Sequence, residues 1–115
     1  MTDREMLEFA AKACGLRLVF DQNGVPRNAT YYAPDSNVFS MPVWNARADD
    51  GDCARMEAAL GIWLRWETEL VEAYVYFHNY CTDEGVYFSH HNGDRNAARR
   101  MASCMVAAQI GRDMG

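Results

Sequence analysis

Residues 62–80 read Ile-Trp-Leu-Arg-Trp-Glu-Thr-Glu-Leu-Val-Glu-Ala-Tyr-Val-Tyr-Phe-His-Asn-Tyr. Ile62, Leu64 and Trp66 alternate with Trp63, Arg65 and Glu67. Ala73, Val75 and Phe77 alternate with Tyr74, Tyr76, His78 and Tyr80. A period of two is the signature of a strand with one buried face. The polar stretch 68–72 predicts the turn between the two strands. Residues 81–85, ending in glycine, predict a hairpin loop, and 86–90 a returning strand. The expectation is an antiparallel sheet with Trp66 and Phe77 inward and Trp63, Tyr74, Tyr76 and Tyr80 outward.

Helices flank this segment. Thr2-Asp3-Arg4-Glu5 is a capping box, in which the threonine hydroxyl accepts from the third helical amide and the glutamate reaches back. Met6, Ala10, Ala13 and Cys14 then share one side, and Gly15 is a natural stop. Residues 16–20 predict a strand, the Asn23-Gly24 pair a tight hairpin, and 28–33 the return, with Pro26 at its entrance or on an edge. A short third strand, broken by Pro42, is expected over 38–43. Asp49-Asp50-Gly51-Asp52 opens a second helix, since aspartate accepts orphan amides and complements the macrodipole. Cys53, Met56 and Leu60 line it, and Gly61 ends it. Asn92-Gly93-Asp94 opens a last helix whose apolar side is Ala97, Met101, Cys104, Met105 and Ala108. The order α-β-β-(β)-α-β-β-β-α predicts an α+β class: an antiparallel sheet with helices packed on it, sandwich-like, as one domain over 1–115.

The chain has 115 residues, half of them hydrophobic, with 16 acids and 11 bases, for a net charge of −5. That composition excludes disorder and fibrous repeats, and no apolar run approaches the ~20 residues of a membrane span. The charged start does not read as a signal peptide. Charge is uneven: residues 28–93 carry ten acids against Arg47, Arg55 and Arg65, giving −7. An acidic middle argues against wrapping duplex nucleic acid, which needs phosphate neutralisation, and suits a partner with a basic surface. The four cysteines, Cys14, Cys53, Cys81 and Cys104, lack metal-ligand spacing. They are expected as reduced thiols in a bacterial cytoplasm.

Trp44-Asn45-Ala46-Arg47-Ala48-Asp49-Asp50-Gly51-Asp52-Cys53-Ala54-Arg55-Met56 resembles a "W-N-P-x-x-D-D-G-D-A-x-R-L" signature of small phage and prophage proteins. The last helix, from Arg95-Asn96-Ala97-Ala98-Arg99-Arg100-Met101 to Ala107-Ala108-Gln109-Ile110-Gly111, is similar to their "A-T-R-R-A-I … A-A-x-I-G" ending. With the opening 1–15, these blocks cover about half the chain and resemble the phage ABA-sandwich domain family. Ala46 stands where proline is usual, and Cys53 and Met56 replace alanine and leucine. The resemblance implies helix, sheet and helix layers and a phage origin, with no activity attached.

Candidate chemistry is sparse. The Asp49–Asp52 carboxylates could bind a hard cation, but they lack the calcium-loop spacing, and helix capping explains them. If Tyr80 paired with Val86, His78 would lie opposite Phe88 and diagonal to His90; with His91 and Cys81 these could make a metal site, or Cys81 could serve as a nucleophile with a histidine base. No third orienting group is evident. Arg95, Arg99 and Arg100 form a candidate nucleic-acid or nucleotide surface. There is no Gly-rich phosphate loop, HExxH or G-x-S-x-G. Outward aromatics resemble an interface core. The expected role is therefore binding rather than catalysis, with no cofactor, no metal and no membrane. The candidate surface is Trp63, Tyr74, Tyr76 and Tyr80 with Glu67, Glu69 and Glu72 as an acidic rim. It would face a host or phage protein in host takeover or counter-defence, including an anti-CRISPR type of role, or a second copy in a homodimer.

Overall fold

The computed structural model describes residues 1–77 and 80–114. Three helices, α1 (Asp3–Ala13), α2 (Asp50–Leu60) and α3 (Arg95–Asp113), accompany two antiparallel sheets. One is a two-stranded ribbon of β1 (Leu18–Phe20) and β2 (Pro26–Asn28). The other has the order β3 (Trp63–Trp66), β4 (Leu70–Phe77), β5 (Tyr80–Tyr87). The chain is α+β, and the helix caps form as read. Thr2 and Glu5 make the reciprocal box of α1, and Asp49 and Asp94 accept from Asp52 and Ala97 amides to start α2 and α3.

Helix α3 lies between two cores. Its Ala98, Ala102 and Val106, spaced by four, pack against Val71, Ala73, Val75 and Val86 of the three-stranded sheet. Its Cys104, Ala107 and Ala108 pack against Met6, Leu7, Ala10 and Ala11 of α1, with Trp44, Cys53 and Met56. The layers therefore run sheet, α3, then α1 with α2 and the ribbon, rather than helix, sheet, helix. The reading of one apolar side on α3 is corrected to two. Met101 and Met105, placed on that side, are half-buried between the cores.

Crossing at close range needs small residues. A Cβ at Gly111 would stand 1.9 Å from the Phe9 carbonyl oxygen, so α1 can run along α3 only with glycine there.

Several expected elements shift. The return strand is β2, beginning at Pro26, not 28–33. Asn28 ends it because its side chain accepts from the Thr30 amide at 3.0 Å, turning the chain away. Residues Val38–Ser40 are a 3-10 turn capped by Asn37 rather than strand. The chain then rejoins β2 through one bridge, Arg27 with Val43. The largest correction concerns 81–85, which are strand and not loop. β5 pairs with β4 from Tyr80–Phe77 to Tyr87–Leu70, so Val86 faces Val71 and not Tyr80. Residues 86–90 are not a returning strand; a 3-10 turn runs Phe88–His91. His78, with the side chain of Phe77, lies outside the described residues.

Two consequences are measurable. Gly111→Ala should gain helix propensity of roughly 1 kcal/mol yet lose more to the α1 clash, about 2–3 kcal/mol net, read as a lowered midpoint in urea. Asp21, at the ribbon turn, is buried, which raises its carboxyl pKa. Hydrogen bonds from the Val25 and Asn23 amides and from Arg27 outweigh burial and hold it below the ordinary value. A depressed folded value means the contribution is present at neutral pH and fades as pH falls through about 4 and below. The melting-temperature difference between the parent chain and Asp21→Asn should accordingly shrink from pH 7 to pH 3.

Candidate functional site

In the three-stranded sheet, alternation sorts residues by face. Val71, Ala73 and Val75 of β4 are fully buried toward α3. Glu72, Tyr74 and Tyr76 point the other way, and no helix among the described residues covers that side. Register aligns Trp63 with Tyr74, Arg65 with Glu72, Cys81 with Tyr76 and Asp83 with Tyr74. The outward face thus carries Trp63, 66% exposed, and Tyr76, 72% exposed, with half-buried Tyr74 between them and exposed Tyr87 at one end. The sequence reading placed Trp63, Tyr74 and Tyr76 correctly.

Tyr80 belongs elsewhere. It pairs with Phe77, packs against the core between sheet and α3, and donates its hydroxyl to Asp113 at 3.0 Å. Desolvation and the Asp113 carboxylate raise its pKa. Trp66 is on the α3 side, as expected, but at the sheet margin, where it stays exposed and meets Phe88 at 6.1 Å between ring centroids.

The acidic rim is partly neutralised. Arg65 bonds Glu72 at 2.8 Å and approaches Glu67 at 3.4 Å. Glu69 is exposed and without an ion pair among the described residues, and Asp83, which the loop reading of 81–85 hid, adds an exposed carboxylate to the face. Glu67, Glu69, Glu72 and Asp83 against Arg65 leave the face net negative.

The arginine surface is reassigned. Arg99, with 18% of its side chain exposed, clamps both carboxylate oxygens of Glu57. Ser103 donates to the same carboxylate at 2.6 Å. Arg100 donates to the Arg47 carbonyl at 2.8 Å and to Asp50 at 2.7 Å. Arg95 sits over the Phe88 ring at 4.7 Å. Arg99 and Arg100 therefore join α3 to α2 rather than offering a cationic surface. Their partners lie about 40–50 positions away, so no local spacing announces them.

The Asp49-Asp50-Gly51-Asp52 carboxylates are engaged too. Asp49 caps α2, Asp50 holds Arg100, and Asp52 accepts from Asn45 at 3.0 Å and Arg55 at 2.7 Å. Among the described residues, no cluster of three His, Cys, Asp or Glu side chains could hold a metal ion. Cys81 is exposed on the outward face, whereas His90 and His91 follow the far end of β5, roughly 20 Å along the strand. Register thus separates Cys81 from His90. Burial pushes the Cys14 thiol up to about 11 and Cys53 to about 12, and raises Cys104 as well. All three thiols therefore hold little thiolate at neutral pH. No helix among the described residues is long and apolar enough to cross a membrane.

The Arg99 assignment carries a stability prediction. Removing one member of a buried ion pair strands the other, so Arg99→Ala should cost about 3 kcal/mol, whereas Arg95→Ala should cost under about 1 kcal/mol. Urea unfolding of the two variants separates them.

No family model, no curated protein and no solved structure matches this chain.

Proposed function

We propose that this chain is a small phage-encoded accessory protein that acts by binding another protein through the outward face of β3, β4 and β5. The observation that carries the reading is the uncovered aromatic pair Trp63 and Tyr76, on a rigid sheet whose other face is anchored to α3. Trp and Tyr are the side chains that dominate interface energetics, because they bury large area at low entropy cost. Glu67, Glu69, Glu72 and Asp83 around them favour a partner with a basic surface and raise its association rate. Among the described residues no three His, Cys, Asp or Glu side chains gather to hold a metal ion. The phage assignment, a bacterial host cytoplasm and a role in host takeover or counter-defence rest on the resemblance of residues 44–56 and of the last helix. The nucleic-acid alternative loses its footing, because Arg99 and Arg100 are held inside the fold.

The test is capture of a stoichiometric partner from a bacterial host lysate, with native mass spectrometry of the chain alone. Trp63→Ala with Tyr76→Ala should leave the melting curve within about 1 kcal/mol and abolish capture. Reversing Glu67, Glu69 and Glu72 to Lys should slow association by about tenfold at low salt and by less at high salt. Unchanged capture by the aromatic double variant would end this reading. A dimeric native mass that the same double variant dissolves would reassign the face to self-association.

A further inference from the structure

The ladder between β4 and β5 fixes which amides of β5 are free. The Phe88 amide donates to the Glu69 carbonyl at 2.9 Å. Hydrogen-bonded pairs in an antiparallel ladder recur every second residue, so Val86–Val71, Glu84–Ala73 and Thr82–Val75 are the bonded pairs of the register. Cys81, Asp83, Gly85 and Tyr87 therefore aim their backbone groups away from β4. β5 is the last strand of its sheet, and no backbone partner meets these groups among the described residues. The edge is eight residues long, twice the length of β3 on the opposite margin.

This edge does not face plain solvent. It borders a cleft of about 670 Å³ between β5 and the start of α1, floored by α3. Met1 and Met6 stand on the α1 side beside Asp3, and Met101 and Met105 on the floor beside Arg112, whose guanidinium donates to Gln109 at 2.8 Å. Methionine is unbranched and polarisable, and adapts to varied apolar partners. An added strand would lie ~4.8 Å outside β5 and turn alternate side chains toward these methionines.

Charge selects the occupant. Asp83 points to the outward face and Glu84 to the cleft, adjacent in sequence on opposite faces, and neither has an ion pair among the described residues. A second copy of this chain pairs poorly here. Only odd-numbered residues offer edge amides, so the two most overlapping antiparallel registers set Asp83 opposite its own copy or Glu84 opposite its own copy. Shifted registers set the Glu84 carboxylate opposite Val86 or Tyr80. Like charges directly opposite are unfavourable, and acids on an edge are a known guard against self-pairing. A strand with two consecutive cations satisfies both carboxylates at once, because successive residues face opposite sides.

We propose that the β5 edge and its methionine cleft form a strand-addition site for an extended protein segment bearing consecutive Lys or Arg residues between apolar ones. It rests on the protein-binding reading only for the class of ligand; the site is the strand edge rather than the outward face, and it shares Asp83 and Tyr87 with that face. Main-chain hydrogen bonds supply affinity in such sites, and alternate side chains supply selectivity.

The probe is the peptide acetyl-Thr-Leu-Thr-Lys-Arg-Val-Thr-amide, titrated into the full chain by calorimetry and by amide NMR. Binding should protect the Cys81, Asp83, Gly85 and Tyr87 amides. Replacing Lys-Arg by Glu-Asp should weaken binding by about tenfold. N-methylation of every second peptide residue should abolish binding in one phase and leave it in the other, since one set of amides meets β5. The Asp83→Lys, Glu84→Lys chain, checked for an unchanged melting curve, should prefer the Glu-Asp peptide. The Trp63→Ala, Tyr76→Ala chain should bind the probe normally, which separates this site from the aromatic face. No binding, or binding equally sensitive to N-methylation in both phases, overturns the proposal. So does a dimer of the free chain with those β5 amides already protected.

Discussion

Helix α3 is buried along two flanks at once, and nearly everything else follows from that position. A helix wedged between a sheet and another helix cannot carry large side chains on either flank, because close-packed interiors leave no room for them. Its buried positions are accordingly Ala98, Ala102, Ser103, Cys104, Val106, Ala107, Ala108 and Gly111. The bulk of each core comes from outside α3: Met6, Leu7, Trp44 and Met56 on one side, Val71, Val75, Val86 and Phe88 on the other. Small residues fix a helix weakly about its own axis. The Glu57 carboxylate, gripped by Arg99 and Ser103, and the Arg47 carbonyl, gripped by Arg100, supply the directional contacts that set its rotation and its register against α2. With α3 spent in this way, no helix among the described residues covers the far face of the three-stranded sheet.

What the sequence made legible was local. Caps at Thr2, Asp49 and Asp94 were readable because each interaction spans three residues. The strand β4 was readable because its inner residues are apolar and its outer ones aromatic or charged. β5 was not, because its inner positions Thr82 and Glu84 are polar and only half-buried, which breaks the alternation that marks a strand. That misplaced hairpin hid Asp83 and displaced Tyr80 onto the wrong face. The arginines of α3 failed for the opposite reason. Their spacing suits a solvated stripe, and only the folded chain brings Glu57 and the Arg47 carbonyl to them.

The two stretches that carry the phage resemblance are engaged with each other. Asp50 meets Arg100, the Asn45 amide meets Asp52, and Arg47 reaches both Asp3 and α3. Trp44 is buried beneath them. These residues hold the three helices in place, and their polar groups are consumed in doing so. A motif of that kind specifies a scaffold. None of the clamps among the described residues draws on the outward side chains of the three-stranded sheet, the surface to which the proposed binding is assigned.

Within that sheet the outward face and the β5 edge are geometrically continuous. Asp83 and Tyr87 belong to both, since their side chains join the aromatic surface while their backbone groups point off the edge. A strand laid along β5 would widen the sheet by one strand and place its own outward side chains beside Tyr87 and Asp83. The two surfaces then act as one enlarged platform, with main-chain bonding setting the position of the added segment and Trp63 and Tyr76 meeting whatever that segment is attached to. Such an arrangement explains why the chain keeps acids on its edge despite leaving the strand long. The acids oppose pairing with another copy of itself and favour a cationic strand, so one pair of carboxylates acts as both guard and selector.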